Sequence, residues 1–358
     1  MKFPRLFLKR IIKKSGPPVH LIWFITARCN LKCSHCFYHA EIISNRDELS
    51  TEEIKKTILN LDPLLSISLT GGEPFLRSDL NEIVEFISVN KLTENLVLFT
   101  NGFNTEDIIE KSRIIARTCP ENMNIAIGVS IDGYEEEHDK YRNKKGAYQN
   151  AVNTINELKS LSKENKNLRV GIGITLHSGN QHIISGLRKD LYDRFQIIPG
   201  ITMIRGDAKN GELKDVDYGI YQQTIAQITK DRQNTSKKNL YQAILDTRET
   251  LGQKLAYETY VTKKRSYECY AGSLMAVIYE NGNVFPCEML KNYKIGNLRD
   301  FDYDLKALWK SQRAHEIRKM IKAGNCHCTY ECQYTCNTLY NIKYLPYYIK
   351  NIIKQTIS

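Results

Sequence analysis

The sequence lacks the long apolar run that a membrane-spanning helix needs. No stretch of its 358 residues approaches the roughly 20 consecutive apolar residues of a span. The start of the chain has neither a long apolar segment nor a small-residue cleavage site, so a secretory signal peptide is not expected. No internal repeat or low-complexity tract is present. We therefore expect a cytoplasmic globular protein with one large domain and a smaller one.

Acidic residues are absent from both ends of the chain, residues 2–14 and 337–358. These ends hold nine lysines and arginines, whereas the net charge of the whole chain is +11. The remaining body is nearly neutral, which argues against a nucleic-acid groove. Apolar and basic residues alternate in the segments 1–18 and 337–358, as in amphipathic helices. Such helices either contact the inner membrane surface as peripheral elements or pack on the body of the protein.

Cysteines fall into two groups, with Cys119 standing alone between them. This clustering favours metal binding in a reducing compartment over disulfides. Cys29, Cys33 and Cys36 follow the apolar run 19–25, which predicts a buried strand leading into a ligand loop. Three thiolates can hold three irons of a [4Fe–4S] cluster and leave the fourth iron open. A structural zinc site is the alternative, but such sites usually close with four ligands and no fourth lies nearby.

The spacing Cys-x3-Cys-x2-Cys resembles the signature of the radical SAM superfamily. That resemblance implies that S-adenosylmethionine (SAM) chelates the open iron through its amino and carboxylate groups. Thr70 is followed by Gly71, Gly72, Glu73 and Pro74, and this segment is similar to the family's GGEP motif. The motif implies that these four residues bind the methionine amino group, with the Glu73 carboxylate as acceptor. An ordinary Gly-Pro turn is the alternative.

Strand-like and helix-like segments alternate along the chain, which predicts a parallel sheet flanked by helices. Six such units fit the partial (β/α)6 TIM-like barrel that the resemblance implies for residues 19–215. The predicted strands are 19–25, 66–69, 96–99, 125–130, 170–176 and 201–204, and the predicted helices are 51–61, 79–90, 105–118, 147–164 and 180–193. The site should lie at the carboxyl ends of the strands.

Further polar residues follow those strand ends. Asn101 follows the third strand, Ser130 and Asp132 the fourth, and Arg205 the sixth. The resemblance implies that Ser130 contacts the ribose or carboxylate of SAM, with Asp132 as a second candidate. It also implies that the planar guanidinium of Arg142 pairs with the SAM carboxylate, and that Arg205 faces adenine or substrate. A turn and a helix cap are the alternative for residues 130–133.

Residues 216–265 predict a helical linker, and residues 266–336 contain a second group of cysteines. Asn281-Gly282 predicts a β-hairpin, which would bring Cys269 and Cys287 towards the same end. The region 266–336 resembles the SPASM/twitch extension of radical SAM enzymes, here a small hairpin-plus-helix domain. That resemblance implies one auxiliary [4Fe–4S] cluster, since only six cysteines are present. The expected ligands are Cys269, Cys287, Cys328 and Cys332, with Cys326 or Cys336 as alternatives, and a zinc knuckle of the four tail cysteines remains open.

The resemblance implies an oxidoreductase-like enzyme that reductively cleaves SAM and abstracts a hydrogen atom from its substrate. A flavodoxin or ferredoxin would supply the electron. The six-cysteine count favours a sugar or another small molecule as substrate, and the basic ends of the chain would suit a lipid-linked or anionic one. Maturation of a ribosomally made peptide is the alternative. A non-catalytic iron–sulfur electron carrier is a third hypothesis, but a carrier has no need of Gly71-Gly72-Glu73-Pro74.

Overall fold

A computed structural model describes residues 2–14, 16–43, 47–234, 240–324, 326, 328 and 331–357. The strands are β1 (His20–Thr26), β2 (Ser66–Gly71), β3 (Asn95–Thr100), β4 (Asn124–Ser130), β5 (Leu168–Leu176), β6 (Gly200–Met203), β7 (Met275–Ile278), β8 (Asn283–Phe285) and β9 (Gly296–Asn297). The first helices are α1 (Lys2–Ile12), α2 (His39–Ile43), α3 (Thr51–Asn60), α4 (Leu80–Val89), α5 (Thr105–Thr118), α6 (Glu135–Arg142), α7 (Ala147–Glu164) and α8 (Ile184–Phe195). The remaining helices are α9 (Tyr218–Asn234), α10 (Leu240–Thr262), α11 (Leu305–Trp309), α12 (Gln312–Lys322), α13 (Glu331–Leu339) and α14 (Leu345–Ile357).

The six predicted βα strands form the parallel part of one sheet, in the order β6-β5-β4-β3-β2-β1. Alternate strand residues with large apolar side chains, such as Leu21, Trp23 and Ile25 in β1, are almost completely buried in the main core. That core includes residues of the flanking helices, for example Ile54 of α3 and Ile155 of α7. This arrangement confirms the partial barrel, with helices covering its outer face.

The start of α3 shows how local sequence signals set the element boundaries. Ser50 Oγ accepts a hydrogen bond from the Glu53 backbone N–H at 3.3 Å, and Glu53 Oε2 accepts one from the Ser50 N–H at 2.8 Å. These two bonds form the capping box that the sequence predicts at this position.

The C-terminal hairpin continues the barrel sheet. Strand β7 pairs in parallel with β1, so that His20 lies opposite Met275 and Trp23 opposite Ile278. Strands β8 and β9 then extend the sheet with antiparallel pairing. The sequence predicted the hairpin itself but not its pairing with β1.

Both basic ends of the chain pack on the body through part of their apolar residues. Leu6, Phe7 and Ile11 of α1 lie against a buried cluster that contains Tyr340, and the Phe7 and Tyr340 rings are 5.1 Å apart. Helix α14 contacts α10. Other apolar residues of the two ends stay exposed, namely Leu8, Ile12, Leu345, Ile349 and Ile353. Within the described residues, no helix combines the length and apolar character needed to cross a bilayer.

Candidate active site

The first cysteine loop begins where β1 ends. Glu48 Oε1 accepts hydrogen bonds from Thr26 Oγ1 and from the Ala27 backbone N–H, both at 2.7 Å. The loop is closed on its other side by a hydrogen bond from the Lys209 N–H, beyond β6, to the Cys36 carbonyl at 3.1 Å. These contacts hold the three-cysteine segment at the carboxyl edge of the barrel, as the sequence predicts.

The three thiols of this loop are partly buried and lie close enough to interact electrostatically. Burial raises the pKa of Cys29 to about 12 and that of Cys36 to about 11, and it also raises the pKa of Cys33. A negative charge on one thiolate would further disfavour ionisation of the neighbouring thiols. Thiolates in such a place need a cationic group to balance them. In the described part of the chain, no set of three or more His, Cys, Asp or Glu side chains is arranged around a single metal ion. Cys thiolates are the usual ligands of iron–sulfur clusters, so the chemistry of this donor set fits such a cluster.

Gly71 and Gly72 lie against the backbone of the cysteine loop. The Gly72 N–H donates to the Thr26 carbonyl at 2.9 Å, and the Glu73 N–H donates to the Arg28 carbonyl at 2.8 Å. A Cβ atom on Gly71 would lie 2.2 Å from the Thr26 oxygen, and one on Gly72 would lie 2.2 Å from the Arg28 oxygen. We expected these glycines to admit a ligand, whereas the group that approaches them here is the loop itself.

Glu73 is buried at the junction of this motif with β3. Its carboxylate accepts from the Asn101 N–H at 2.7 Å and from the Phe75 N–H at 3.2 Å. Burial raises the pKa of Glu73 to about 7, although these hydrogen bonds oppose the shift. Asn101 in turn lies 3.9 Å from Cys29 Sγ through its Nδ2 atom. Pro74 is buried and begins a short 3-10 turn. Glu73 and Asn101 thus lie beside the cysteine loop.

Asp132 and Arg142 form a buried ion pair next to Cys33. Arg142 Nη2 lies 2.6 Å from Asp132 Oδ2, and Arg142 Nη1 lies 3.8 Å from Cys33 Sγ. Burial opposes ionisation of Asp132, but Arg142 and nearby histidines outweigh it and hold the pKa of that carboxyl below its ordinary range. Asp132 Oδ1 also accepts from the Thr175 N–H at 2.8 Å. The guanidinium that was expected at the SAM carboxylate is therefore already oriented by Asp132.

Three buried histidines surround this ion pair. His35 Nε2 lies 3.4 Å from Asp132 Oδ2, and the His35 and His177 rings stack with centroids 5.5 Å apart. His138 Nδ1 accepts from the Asp132 N–H at 3.0 Å. Burial lowers the pKa of His35 to about 3 and those of His138 and His177 to about 4. Sequence reasoning missed His138 and His177, since neither lies in a motif and their proximity depends on α6 and the loop after β5.

Ser130 and Arg205 are the last two candidates in the barrel. Ser130 is the final residue of β4 and pairs with Gly173 of β5. Arg205, beyond β6, lies 3.3 Å from the buried carboxylate of Glu288 and over the Phe37 ring at 5.0 Å. Arg205 thus connects the first cysteine loop to the residue that follows Cys287. Their roles toward SAM stay predictions.

Four cysteines of the second group are linked by pairwise electrostatic interactions. Cys269 interacts electrostatically with Cys326 and Cys328, and Cys287 interacts with Cys269 and Cys328. Burial raises the pKa of Cys269 to about 11 and that of Cys287 well above its ordinary value. Arg265 Nη1 lies 3.7 Å from Cys326 Sγ and so places a positive charge at the site. This set includes Cys326, which was expected as an alternative ligand.

The remaining two cysteines of that group are Cys332 and Cys336. Cys336 is fully buried in the apolar cluster that contains Tyr340 and Leu274. Cys332 belongs to α13, but its side chain lies outside the described residues. The expected ligand set of Cys269, Cys287, Cys328 and Cys332 therefore stays a prediction.

A chamber of about 400 Å³ occupies the interior of the barrel. Its strand wall is formed by inward residues of β3, β4, β5 and β6, and its opposite wall by α10 and Tyr334 of α13. The Tyr334 hydroxyl donates to the Cys328 carbonyl at 3.3 Å. The chamber thus lies between strands that end at the first cysteine site and a side chain that contacts the second.

Comparison with known families agrees with this geometry. Residues 23–182 match the model of the radical SAM superfamily, and residues 269–337 match the iron–sulfur cluster-binding domain called SPASM. The chain belongs to the radical SAM superfamily. The superfamily is one of enzymes, and the two matches identify a [4Fe–4S] cluster, SAM and auxiliary iron–sulfur clusters as its cofactors.

Individual relatives match parts of this radical SAM chain. It is 34% identical over 47% of its length to the Fe-coproporphyrin III synthase of Methanosarcina barkeri, of which 39% is covered. It is 27% identical over 84% of its length to AlbA, the antilisterial bacteriocin subtilosin biosynthesis protein of Bacillus subtilis, of which 61% is covered. The chain therefore spans less than two thirds of either relative. The crystal structure of anSMEcpe with bound AdoMet and the Cp18Cys peptide shares the fold, with a TM-score of 0.60 at 16% identity over 95% of this chain and 98% of the other.

Proposed function

We propose that this protein is an enzyme that abstracts a hydrogen atom from an organic substrate held in the barrel chamber. The position of the chamber supports the proposal. It is bounded by β3, β4, β5 and β6, of which β3 leads directly to Asn101 beside Cys29, and by Tyr334, which contacts Cys328. A substrate there would be near both cysteine sites.

The residues of the first site have separate tasks in this proposal. A cluster bound by Cys29, Cys33 and Cys36, together with SAM, would supply the carbon-centred radical that attacks the substrate. Glu73, whose pKa of about 7 reflects burial, would accept a hydrogen bond from the ammonium group of SAM. Arg142 would orient the carboxylate of SAM while Asp132 holds the guanidinium in place. The apolar and aromatic residues around Cys36 exclude water from the site.

For the substrate, we propose a side chain of a peptide, which would be oxidised or crosslinked. The relatives support this class, because AlbA is named for bacteriocin biosynthesis and the anSMEcpe structure contains a peptide. A chamber of about 400 Å³ is within the size range of sites for small ligands or side chains. A sugar or lipid-linked small molecule is the competing substrate. A tetrapyrrole, suggested by the name of the M. barkeri relative, is a further outcome to be tested.

Two partners belong to the same proposal. A flavodoxin or ferredoxin would supply the single electron that the first site requires. The exposed apolar residues Leu345, Ile349 and Ile353 of α14, together with Lys350 and Lys354, would permit contact with an anionic membrane surface. Both partners are compatible with a substrate that is delivered as a peptide or as a lipid-linked compound.

Anaerobic reconstitution with iron and sulfide, followed by reduction in the presence of SAM, tests the catalytic proposal. We expect formation of 5′-deoxyadenosine, and loss of that product when Cys29, Cys33 and Cys36 are all replaced by Ala. The triple variant should retain iron at the second site. A cluster-loaded protein that binds no SAM and yields no 5′-deoxyadenosine would favour the electron-carrier hypothesis instead.

The substrate proposal needs a separate measurement. Peptides encoded beside the gene, sugars and tetrapyrroles would be offered to the reduced enzyme, and deuterium transfer from labelled substrate into 5′-deoxyadenosine would be followed by mass spectrometry. We expect transfer from a peptide. Transfer only from a sugar or a tetrapyrrole would overturn the peptide proposal and leave the radical chemistry intact.

A further inference from the structure

Four glycines form a flat patch on the strand wall of the barrel chamber. Gly128 of β4 lies opposite Gly171 of β5, and Gly173 of β5 lies opposite Gly200 of β6. All four line the chamber. We call these four residues the glycine floor. Because neighbouring strands are about 4.8 Å apart, the floor extends across three strands without a side chain.

Packing within the protein does not explain three of these glycines. A Cβ atom on Gly173 would meet no atom within 4 Å, one on Gly171 would meet only Gly128 Cα at 3.9 Å, and one on Gly200 would meet only the Ile172 oxygen at 3.8 Å. Glycine inside a strand lowers stability, and it often marks a place where a ligand approaches the backbone. The space above the floor is therefore available to a flat group that is not part of this chain.

The opposite wall of the chamber carries an arginine that pairs with no carboxylate of the described residues. Arg232 is paired with Glu249, which neutralises one of the two guanidinium groups at this wall. Arg248 has no ion pair or hydrogen bond with any other described residue, and it lines the same cavity. The positive charge of Arg248 also disfavours protonation of the buried His20 ring. The chamber thus combines a flat floor with one uncompensated positive charge.

We propose that the chamber recognises a substrate with a carboxylate, whose flat part lies on the glycine floor and whose carboxylate pairs with Arg248. The inference rests on the proposed function, because it assigns the site at which that substrate is held. Guanidinium binds carboxylate through two parallel hydrogen bonds, which fixes orientation as well as affinity. For a peptide, the group is an acidic side chain or a chain terminus near the reacting residue.

Two probes of equal shape test the role of Arg248. The reconstituted, oxidised protein is titrated anaerobically with 2-naphthoate and with neutral 2-naphthamide, and binding is followed by probe fluorescence. We expect naphthoate to bind roughly tenfold more tightly, which corresponds to about 1.4 kcal/mol. Arg248→Gln should abolish that preference, and Arg248→Lys should restore part of it. Lys254→Gln is the matched control, because Lys254 is an exposed cation on the same helix.

The glycine floor is tested by filling it. Gly171→Leu and Gly200→Leu should weaken binding of both probes at least tenfold, since the new side chain would occupy the floor. Gly211→Leu is the matched control, because Gly211 also has no atom within 4 Å of its Cβ position but lies outside the chamber. Thermal melting of each variant establishes that it is folded.

Two results would overturn the inference. One is an unchanged ratio of naphthoate to naphthamide affinity in Arg248→Gln, and the other is unchanged probe binding in both floor variants while they remain folded. Neither result depends on SAM cleavage. A protein that forms 5′-deoxyadenosine but shows no such discrimination would refute the carboxylate site alone, whereas discrimination without SAM cleavage would refute the proposed function.

Discussion

Arg142 connects a buried carboxylate to a cysteine of the first site. Its Nη2 atom lies 2.6 Å from Asp132 Oδ2, and its Nη1 atom lies 3.8 Å from Cys33 Sγ. Hydrogen bonds to ligand sulfurs help to set the potential of an iron–sulfur cluster. The contact between Arg142 and Cys33 should therefore affect the reduction potential of a cluster bound at the first site.

Replacing Arg142 by Gln should lower the reduction potential of the first cluster. The guanidinium stabilises the more negative, reduced state, and each tenfold loss of that preference is about 60 mV for one electron. The shift is measured by an EPR-monitored redox titration. Arg299→Gln is the control, since Arg299 is a paired arginine near α3. An unchanged potential in Arg142→Gln would contradict a role of Arg142 at Cys33.

Asp132→Asn should destabilise the protein. The substitution leaves a buried guanidinium without its carboxylate, which costs about 3–5 kcal/mol for pairs of this kind. Thermal or urea unfolding of wild type and variant measures the loss. Asp47→Asn is a useful comparison, because Asp47 also pairs with an arginine but its side chain is 83% exposed. Equal losses in the two variants would contradict the importance of burial at Asp132.

Gly72→Ala should prevent correct formation of the first site. Its new methyl group would lie 2.2 Å from the Arg28 carbonyl, so that the cysteine loop or the motif has to move. We expect a stability loss of about 1–3 kcal/mol, as for overpacking, and less iron bound per chain. Gly211→Ala provides the control in open space. Wild-type iron content together with an unchanged melting temperature would show that the two segments do not need this close contact.

The second site permits a comparison of two cysteines. Cys326→Ala should remove iron from that site, because Cys326 interacts with Cys269. Cys336→Ala should retain it, because Cys336 packs with Leu274 and Tyr340 in an apolar cluster. Iron and sulfide would be counted in a background without Cys29, Cys33 and Cys36. The reverse result would replace Cys326 with Cys336 in the ligand set.

Stability should fall as the pH is lowered through the range set by His20. Burial lowers the pKa of His20 from 6.5 to about 4, so above pH 6.5 neither the folded nor the unfolded protein is protonated there. Between pH 6.5 and 4 the unfolded state alone takes up the proton, and stability decreases by about 1.4 kcal/mol per pH unit for this group. His20→Gln should reduce the slope of unfolding free energy against pH in cluster-free protein.

Tyr340→Phe is the matched control for His20. It removes the hydroxyl that lies 2.9 Å from His20 Nε2 but keeps the titrating ring. The slope should therefore stay close to that of the wild type even if the overall stability drops. Identical slopes for wild type and His20→Gln would show that His20 does not titrate in this range.

The strands and helices of the barrel could be predicted because the patterns that indicate them lie within short stretches of sequence. The helix Thr105–Thr118 and the helix Ala147–Glu164 have the predicted bounds, and the capping box at Ser50 is present. The single helix expected in the hairpin-plus-helix domain is instead two, α11 and α12, since Ser311 caps α12 by accepting from the Ala314 N–H at 3.2 Å. Ser311 is a residue type that favours the start of a helix, but the helical spacing of apolar residues continues on both sides of it.

The parts that the sequence did not predict depend on distant contacts. Helix α6 has almost no apolar face, so its pattern did not indicate a helix that brings His138 and Arg142 to Asp132. The pairing of β7 with β1 joins residues more than 250 positions apart. The chamber arises only when α10 faces the inward glycines of three strands. Motif spacing predicted the metal ligands, but the geometry around them is a tertiary property.

The pairing of β7 with β1 also bears on electron transfer. Strand β1 leads into the loop of Cys29, and the hairpin that begins with β7 leads to Cys287. The two cysteine sites therefore follow β1 and β8, two strands of one continuous hydrogen-bonded sheet that are separated by β7 alone. Their separation is fixed by the backbone ladder, so that the rate of electron exchange between them should not depend on the opening and closing of a hinge.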